Sequence, residues 1–449
     1  MNTDETWIAE QFGRANLGDA RRSLRAQKLA LNIIKAPGKG LAVQTGSQSQ
    51  CKAAYRLLNC PAVTREQLMQ PHFEQTRSSA IELPVTLFVQ DTTELDWSSI
   101  QQAQGYGPIG DHRGQGLLTH SLLALQPQGQ ILGLAAQLSW ARTPGVVRKT
   151  SETRTQRYAR ADKESAVWYQ ALEAVGQVPE GKRWVSIGDR GSDSFLYWAK
   201  AREWGWQCLS RVFIDRCTSE EKKLLTKARE LTVQGEWSVH QRARPGQAQR
   251  TLELKLAWQA VQILPAKNDG AQKKLELIDA TVLRCWDEKH GVEWLLVATW
   301  PITDLDAARE CVQWYQRRWT IEEFHKCLKS GCGIEKSQLK TATATQALLG
   351  FCSVVAVRLL ALSRAARIMP EELASKYIDK SYLKVLCRLR SLAEETLSVG
   401  SYWREVAGLG GFLGRKGDGD PGWQTLWKGL TKLDDLVAGY LLAMAMKCG

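Results

Sequence analysis

Between residues 83 and 214 the hydrophobic period switches from two to about 3.6 residues and back, and the order of those switches leaves few folds open. LPVTLFVQDTTELDW opens with alternating and β-branched residues, as a strand does. LLTHSLLALQ and QILGLAAQLSW follow as two more strands joined at PQG, which makes a three-strand meander. ADKESAVWYQALEAVGQV (161–178) reads as a helix. RWVSIGDRG (183–191) reads as a short buried strand ending in a turn. DSFLYWAKAREWG reads as a helix closed by Gly205, and QCLSRVFI as a further strand. Three antiparallel strands followed by helix–strand–helix–strand predict an α/β fold with a mixed sheet.

Different patterns flank this core. In the first sixty or so residues, WIAEQF and LGDARRSLRAQKLALNIIK carry apolar residues at helical spacing, with Asp19 placed to cap the second helix. APGKG interrupts the pattern, and SQCKAAYRLLN predicts a third helix ending near Asn59 and Pro61. Residues 215–290 are polar with alternating stretches such as RTLELKLAWQAVQI, and read as a β-rich insertion. The main pattern resumes with VEWLLVATW, then a helix from about Leu305 through Ser330, and beyond residue 340 helices predominate.

Charge adds a partner class. The chain has 449 residues and a net charge of +13, which favours a polyanion and most simply nucleic acid. Residues 1–60 hold nine Lys/Arg against four Asp/Glu, and a second basic run covers 142–163. A small basic helical unit fits a DNA-binding module or an ordinary helical subdomain with a solvated face. No charge-free apolar run is long enough to span a membrane, and the N-terminal segment lacks a signal-peptide layout, so a cytoplasmic protein is expected. The eleven cysteines are scattered and read as reduced, mostly buried thiols.

Three acidic positions raise the question of chemistry. Asp91 is placed near the end of the first predicted strand and Asp189 at the end of a later one, where α/β sheets collect their functional groups. Asp96 and Asp193 are nearby competitors that turns and helix caps account for. In QWYQRRWTIEEFHKCLKS, Tyr315, Arg318, Glu322 and Lys329 are spaced by 3, 4 and 7, which puts them on one stripe of a continuous helix and Glu323 off it. Carboxylates for metal beside cations for phosphate are what phosphodiester chemistry requires. An exposed helix laced by ion pairs such as Arg318–Glu322 is the alternative.

Read as Y-x2-R-x3-E-x6-K, those four residues resemble the signature of the DDE transposases of the insertion-sequence-four family. VQDTTEL and GDRGSD are similar to that family's two catalytic aspartate segments, and LGDARRSLR and AAYRLLN to its DNA-binding helices. FCSVVAVRLLALS and LGGFLGRK…GWQTLWKGL are similar to its C-terminal helices. The resemblance covers nearly the whole chain and implies an RNase H-like catalytic core at 66–355 with the β-rich insertion at about 215–290. A helical end-binding domain at 1–65 and a helical dimerisation domain at 356–449 flank it. It implies Asp91, Asp189 and Glu322 as catalytic metal ligands, two Mg²⁺ ions with Mn²⁺ able to substitute, and cut-and-paste transposition through a hairpin intermediate. Tyr315, Arg318, Lys329 and Arg211 would hold the DNA backbone, and Trp294 would stack a flipped base. Arg21, Arg22, Arg25, Lys52 and Arg56 fall in the segments that would bind the ends. The implied partners are double-stranded transposon-end and target DNA and a second copy of the chain in a paired-end complex. Thr320 and Val212-Phe213 stand where the family's best-known member has more basic residues. An RNase H-like nuclease or resolvase, or an inactive end-binding repressor, would share part of this pattern.

Overall fold

The computed structural model describes residues 4–143, 164–241, 250–266, 275–368, 370–415 and 418–447. Nearly all of the basic run at 142–163 and the start of the helix expected at 161–178 lie outside these residues.

The N-terminal helices are α1 (Asp4–Phe12), α2 (Ala20–Lys35), α3 (Leu41–Thr45), α4 (Gln48–Leu58) and α5 (Arg65–Glu82). Asp19 caps α2 as expected, its Oδ1 accepting from the Arg21 amide at 2.8 Å. The core strands are β1 (Val85–Asp96), β2 (Gly107–Ile109), β3 (Gly114–Leu125), β4 (Ile131–Trp140), β5 (Arg183–Gly188) and β6 (Gln207–Arg211). Helices α6 (Val167–Val175) and α7 (Phe195–Glu203) provide the crossovers. β4, β3 and β1 pair antiparallel in turn, while β1, β5 and β6 run parallel. The resulting order β4–β3–β1–β5–β6 is the RNase H-like arrangement, a mixed sheet fed by helical crossovers.

The insertion is β-rich, as expected, and joins the core sheet. It holds a helix, α8 (Leu224–Glu230), and strands β7 (Gly235–Gln241), β8 (Arg250–Ile263) and β9 (Ile278–Asp287). Strand β10 (Val292–Ala298) pairs antiparallel with both β9 and β6, so the core and the insertion form one ten-stranded sheet. Pairing with β6 covers an edge that would otherwise be open. One expectation is corrected: Asp91 is not near the end of its strand. β1 continues to Asp96 because β3 pairs with it as far as Gly116. Only the parallel pairing with β5 stops early, at Val89 opposite Ile187.

Alternation along the strands splits the apolar core in two. Leu87, Val89, Val185, Ile187, Leu209 and Leu296 face one cluster. Phe88, Trp184, Cys208, Leu295 and Val297 face the other. The first face is covered by α9 (Leu305–Gln316), α10 (Trp319–Lys326) and α11 (Ala342–Ile368), and α12 (Lys380–Arg390), α13 (Val399–Leu409) and α14 (Trp423–Lys447) extend the same cluster. The stretch Ala342–Ala361 of α11 is apolar enough to cross a membrane, yet it is mostly buried inside the molecule. The ten described cysteines are free thiols, most of them buried.

His72 ties the N-terminal helices to the core. Its Nε2 accepts from the Leu134 amide at 3.0 Å, which leaves the ring proton on Nδ1 to donate to Gln11 Oε1 at 2.5 Å. Burial holds its pKa down to about 4 from 6.5. As pH falls through 6.5 the unfolded chain takes up a proton at this ring, and the folded chain does not until about pH 4. The stabilisation is therefore complete above pH 6.5 and is lost progressively below it, by about 3 kcal/mol in all. Urea unfolding at several pH values should show a flatter acid limb for His72→Gln than for the parent. Parallel limbs would remove this residue from the acid response.

Candidate active site

Strand register builds the site. Continuing the pairings Val89–Ile187 and Gly188–Ser210 by two residues and one residue places Asp91, Asp189 and Arg211 in one row across β1, β5 and β6. All three share the face covered by α9 and α10. The row sits where the parallel strands end, where backbone amides are freed for turns. Asp189 uses one, accepting from the Gly191 amide at 2.7 Å to cap a single helical turn. That turn folds so tightly that a Cβ at Gly188 would come within 2.4 Å of Ser192 and 2.6 Å of Trp168. Glycine before Asp189 is therefore required by packing.

Asp91 accepts from the Thr92 amide at 2.7 Å. Beneath it runs a buried polar chain. The Thr92 hydroxyl lies 2.8 Å from His120 Nδ1, His120 Nε2 lies 2.8 Å from Gln90 Oε1, and Gln90 Nε2 donates to Ser186 and Tyr197. Each member is satisfied by the next, which fixes the strand that presents Asp91. Burial first, and then the negative charge of Asp189 and of Glu322, push the Asp91 carboxyl up to about 7. Glu322 thus acts on Asp91 although the two are 231 positions apart in the chain.

The helix bearing Glu322 is not the continuous one expected from Leu305 through Ser330. It breaks at Arg317–Arg318, where the amides of Arg317, Arg318, Thr320 and Ile321 bond three residues back instead of four. A π-helical turn, Cys327–Gly331, follows α10. The break turns part of the predicted stripe into a cluster. Arg318 donates to Glu322 Oε1 at 2.7 Å and sits over the rings of Tyr315 and Trp319. Tyr315 is buried and meets Trp294 edge to face, with centroids 5.4 Å apart. Its hydroxyl pKa is raised by burial, against the charges of Arg318 and Arg211. Lys329 sits in the π turn and lies 3.6 Å from Glu335. Glu323 faces away and is held by Arg364 at 3.0 Å.

The competitors have structural roles. Asp96 closes a turn by accepting from the Ser98 amide. Asp193 is buried and binds the 213–216 loop through Arg216 and two amides. That loop leaves Phe213 55% exposed beside Arg211. Sequence reasoning passed over Trp319, which is 54% exposed next to Arg318; a large aromatic left in water beside a site is the signal.

Among the described residues no three His, Cys, Asp or Glu side chains stand close enough together to hold a metal ion. Two features nonetheless fit a divalent cation between Asp91, Asp189 and Glu322. Glu322 Oε2 is buried without a hydrogen-bond partner. Asp91 also carries the charge of two neighbouring carboxylates, which a cation would neutralise.

In the N-terminal helices, Arg21, Arg25 and Lys28 line a groove of about 420 Å³ between α2 and α4, with Asn32, Ser49 and Gln50. Lys28 was not anticipated. Lys52 and Arg56 are exposed on α4 outside the groove lining. Arg22 turns back to donate to the Leu17 carbonyl at 2.9 Å.

Three protein families match this chain in consecutive stretches. Residues 4–63 match the transposase DNA-binding family, 158–358 the transposase DDE domain and 354–447 the transposase Tn5 dimerisation domain. The chain belongs to the DDE transposases, enzymes that cleave DNA and transfer its strands with the help of divalent metal. Within that class the order of its three regions makes it similar to the transposon-five transposase family, with a DNA-binding region ahead of the catalytic core and a dimerisation region behind it. The DDE match takes in Asp189 and Glu322 and begins after Asp91. A solved structure described as the piggyBac transposase synaptic complex with hairpin DNA aligns over 84% of this chain and 81% of that one. It does so at 10% identity and a TM-score of 0.34, too distant to carry any conclusion.

Proposed function

We propose that this transposase works by cut-and-paste, with Asp91, Asp189 and Glu322 as its catalytic carboxylates. The observation that supports the reading is the strand register that sets Asp91 level with Asp189, together with the raised pKa of Asp91, to which the charges of Asp189 and Glu322 both contribute. These residues would hold two Mg²⁺ ions, or Mn²⁺ in their place; when bound, the metal supplies charge neutralisation at the reacting phosphate and lowers the pKa of the attacking hydroxyl. Water displaces the 3′-oxygen at the transposon end. The freed 3′-hydroxyl then attacks the opposite strand to give a hairpin, water reopens it, and the 3′-ends attack target DNA. Each step exchanges one P–O bond for another, so one site serves them all.

The chain's own groups position these steps. Arg318, held by Glu322 and two aromatic rings, and Arg211, in the row with Asp189, are placed to grip phosphate oxygens. Tyr315 supports them and Lys329 extends the positive rim. Trp294, half-buried over Tyr315, takes the flipped base, and exposed Trp319 offers a second aromatic face. The regions are 1–65 for end binding, 66–355 for catalysis with its insertion at about 215–290, and 356–449 for pairing two copies. Helix α14 leaves Leu442 65% and Met446 76% exposed, an apolar face suited to a second copy of the chain. Arg21, Arg25, Lys52 and Arg56 are the end-binding cations and Arg22 braces their helix. The protein acts in the cytoplasm.

The test is incubation of the full chain and Mg²⁺ with a duplex of the outermost base pairs flanking the coding region. A hairpin product is expected. Nicks without hairpins would favour a resolvase-like nuclease, and binding without any cleavage would favour a repressor. Trp294→Ala should lower hairpin yield while sparing the first nick, because only the hairpin step needs an extruded base.

A further inference from the structure

Helix α2 carries Arg21, Arg25, Lys28, Asn32 and Lys35 at steps of 4, 3, 4 and 3. That spacing sets them along one face, over about 21 Å of helix. The first four line the groove against α4. The fifth opens a second cleft, of about 530 Å³, at the other end of the same helix. Three distant parts of the chain meet there: the turn after α2, the π turn after the Glu322 helix, and α14. Its lining includes Lys35, Lys39, Lys336, Lys428 and Lys432, and no carboxylate among the described residues. All five lysines are exposed, and among the described residues none of them forms an ion pair.

The cleft is a built junction. Gly38 has φ +68° and a Cβ there would come within 2.9 Å of the Gly331 carbonyl oxygen. Gly333 has φ +63° and a Cβ there would come within 3.0 Å of the Gly38 Cα. Backbone is thus packed on backbone, which fixes the α2 lysines against the turn that follows the catalytic glutamate. Lys428 and Lys432 lie one helical turn apart on the opposite wall, and the Lys432 ammonium donates to the Leu409 carbonyl at 2.9 Å. Five ammonium groups held around one opening repel each other unless an anion sits among them.

We propose that this cleft binds the DNA backbone, as a continuation of the α2 track, and that Lys336 and Lys428 are phosphate contacts. The C-terminal region then contributes to DNA binding by its own chain in addition to pairing copies. The proposal rests on the DNA-cleaving reading above. A stripe of about 21 Å is long enough to meet several phosphates of one strand, and the cleft adds contacts beyond its end, on the side of the Glu322 helix.

The test measures binding of a labelled duplex, drawn from the base pairs flanking the coding region, to the full chain across a range of salt. Lys336→Gln with Lys428→Gln should lower the slope of log affinity against log salt by about 1.8, because each lost phosphate contact removes about 0.9. Lys376→Gln, a lysine paired with Glu372 elsewhere in the C-terminal region, should leave the slope unchanged. Lysine acetylation read by mass spectrometry gives a second measure. Duplex should protect Lys336 and Lys428, whereas pyrophosphate at the same phosphate concentration should not. An unchanged slope in the double variant, or equal protection by pyrophosphate, overturns the proposal and leaves the catalytic reading standing. A parent chain that binds no duplex removes the reading beneath it.

Discussion

Glu322→Gln should lower DNA cleavage by about 10³-fold or more while leaving duplex binding in place, and Glu323→Ala should cost no more than about 10–100-fold, the usual effect of losing an outer-shell partner. The two glutamates are adjacent in sequence and opposite in environment. Glu322 directs one oxygen to Arg318 and leaves the other buried and unpartnered, inside the field of Asp91. Glutamine keeps the shape and can still accept from Arg318, so the loss isolates the charge. Glu323 spends its charge on Arg364 of α11 and orients the helix from behind. Single-turnover cleavage with saturating protein separates chemistry from binding. Full loss at Glu323 with survival at Glu322 would sink the assignment.

That contrast was legible in the sequence for a reason only partly correct. The spacing of Tyr315, Arg318 and Glu322 put these side chains together on the assumption of an unbroken helix. The structure keeps the Arg318–Glu322 contact because four residues still make one turn of α10 and its entry. The π turn that holds Lys329 was not legible, because apolar periodicity does not register one inserted residue. The aspartates were legible through strand patterning. Their shared level was not, since it depends on which strand neighbours which, a property of pairing between distant segments. The merging of insertion and core into one sheet was hidden likewise, because VEWLLVATW reads as a strand whichever edge it joins. The lysine cleft could not be seen at all, for its walls come from residues 35–39, 330–336 and 424–432.

Asp193→Ala should destabilise the fold by about 3–5 kcal/mol, the usual consequence of removing one partner of a buried ion pair. The carboxylate is wholly buried. One oxygen accepts the Phe213 and Ile214 amides at 2.9 Å each, and the other takes Arg216 at 2.7 and 3.0 Å. Alanine would strand a guanidinium packed on Trp198 and two amides in the loop next to Arg211. Thermal melting without metal or DNA should fall by about 3–5 °C, because a chain of 449 residues has a large unfolding entropy. Replacing Arg216 by leucine in the same chain should restore part of the loss, because the unpaired cation is then gone. A catalytic ligand would behave in the opposite way. Its loss would spare melting, abolish cleavage and gain nothing from the second substitution. The sequence assigned Asp193 to a turn or helix cap and Asp189 to the site, and this pair of measurements separates a loop anchor from a catalytic ligand.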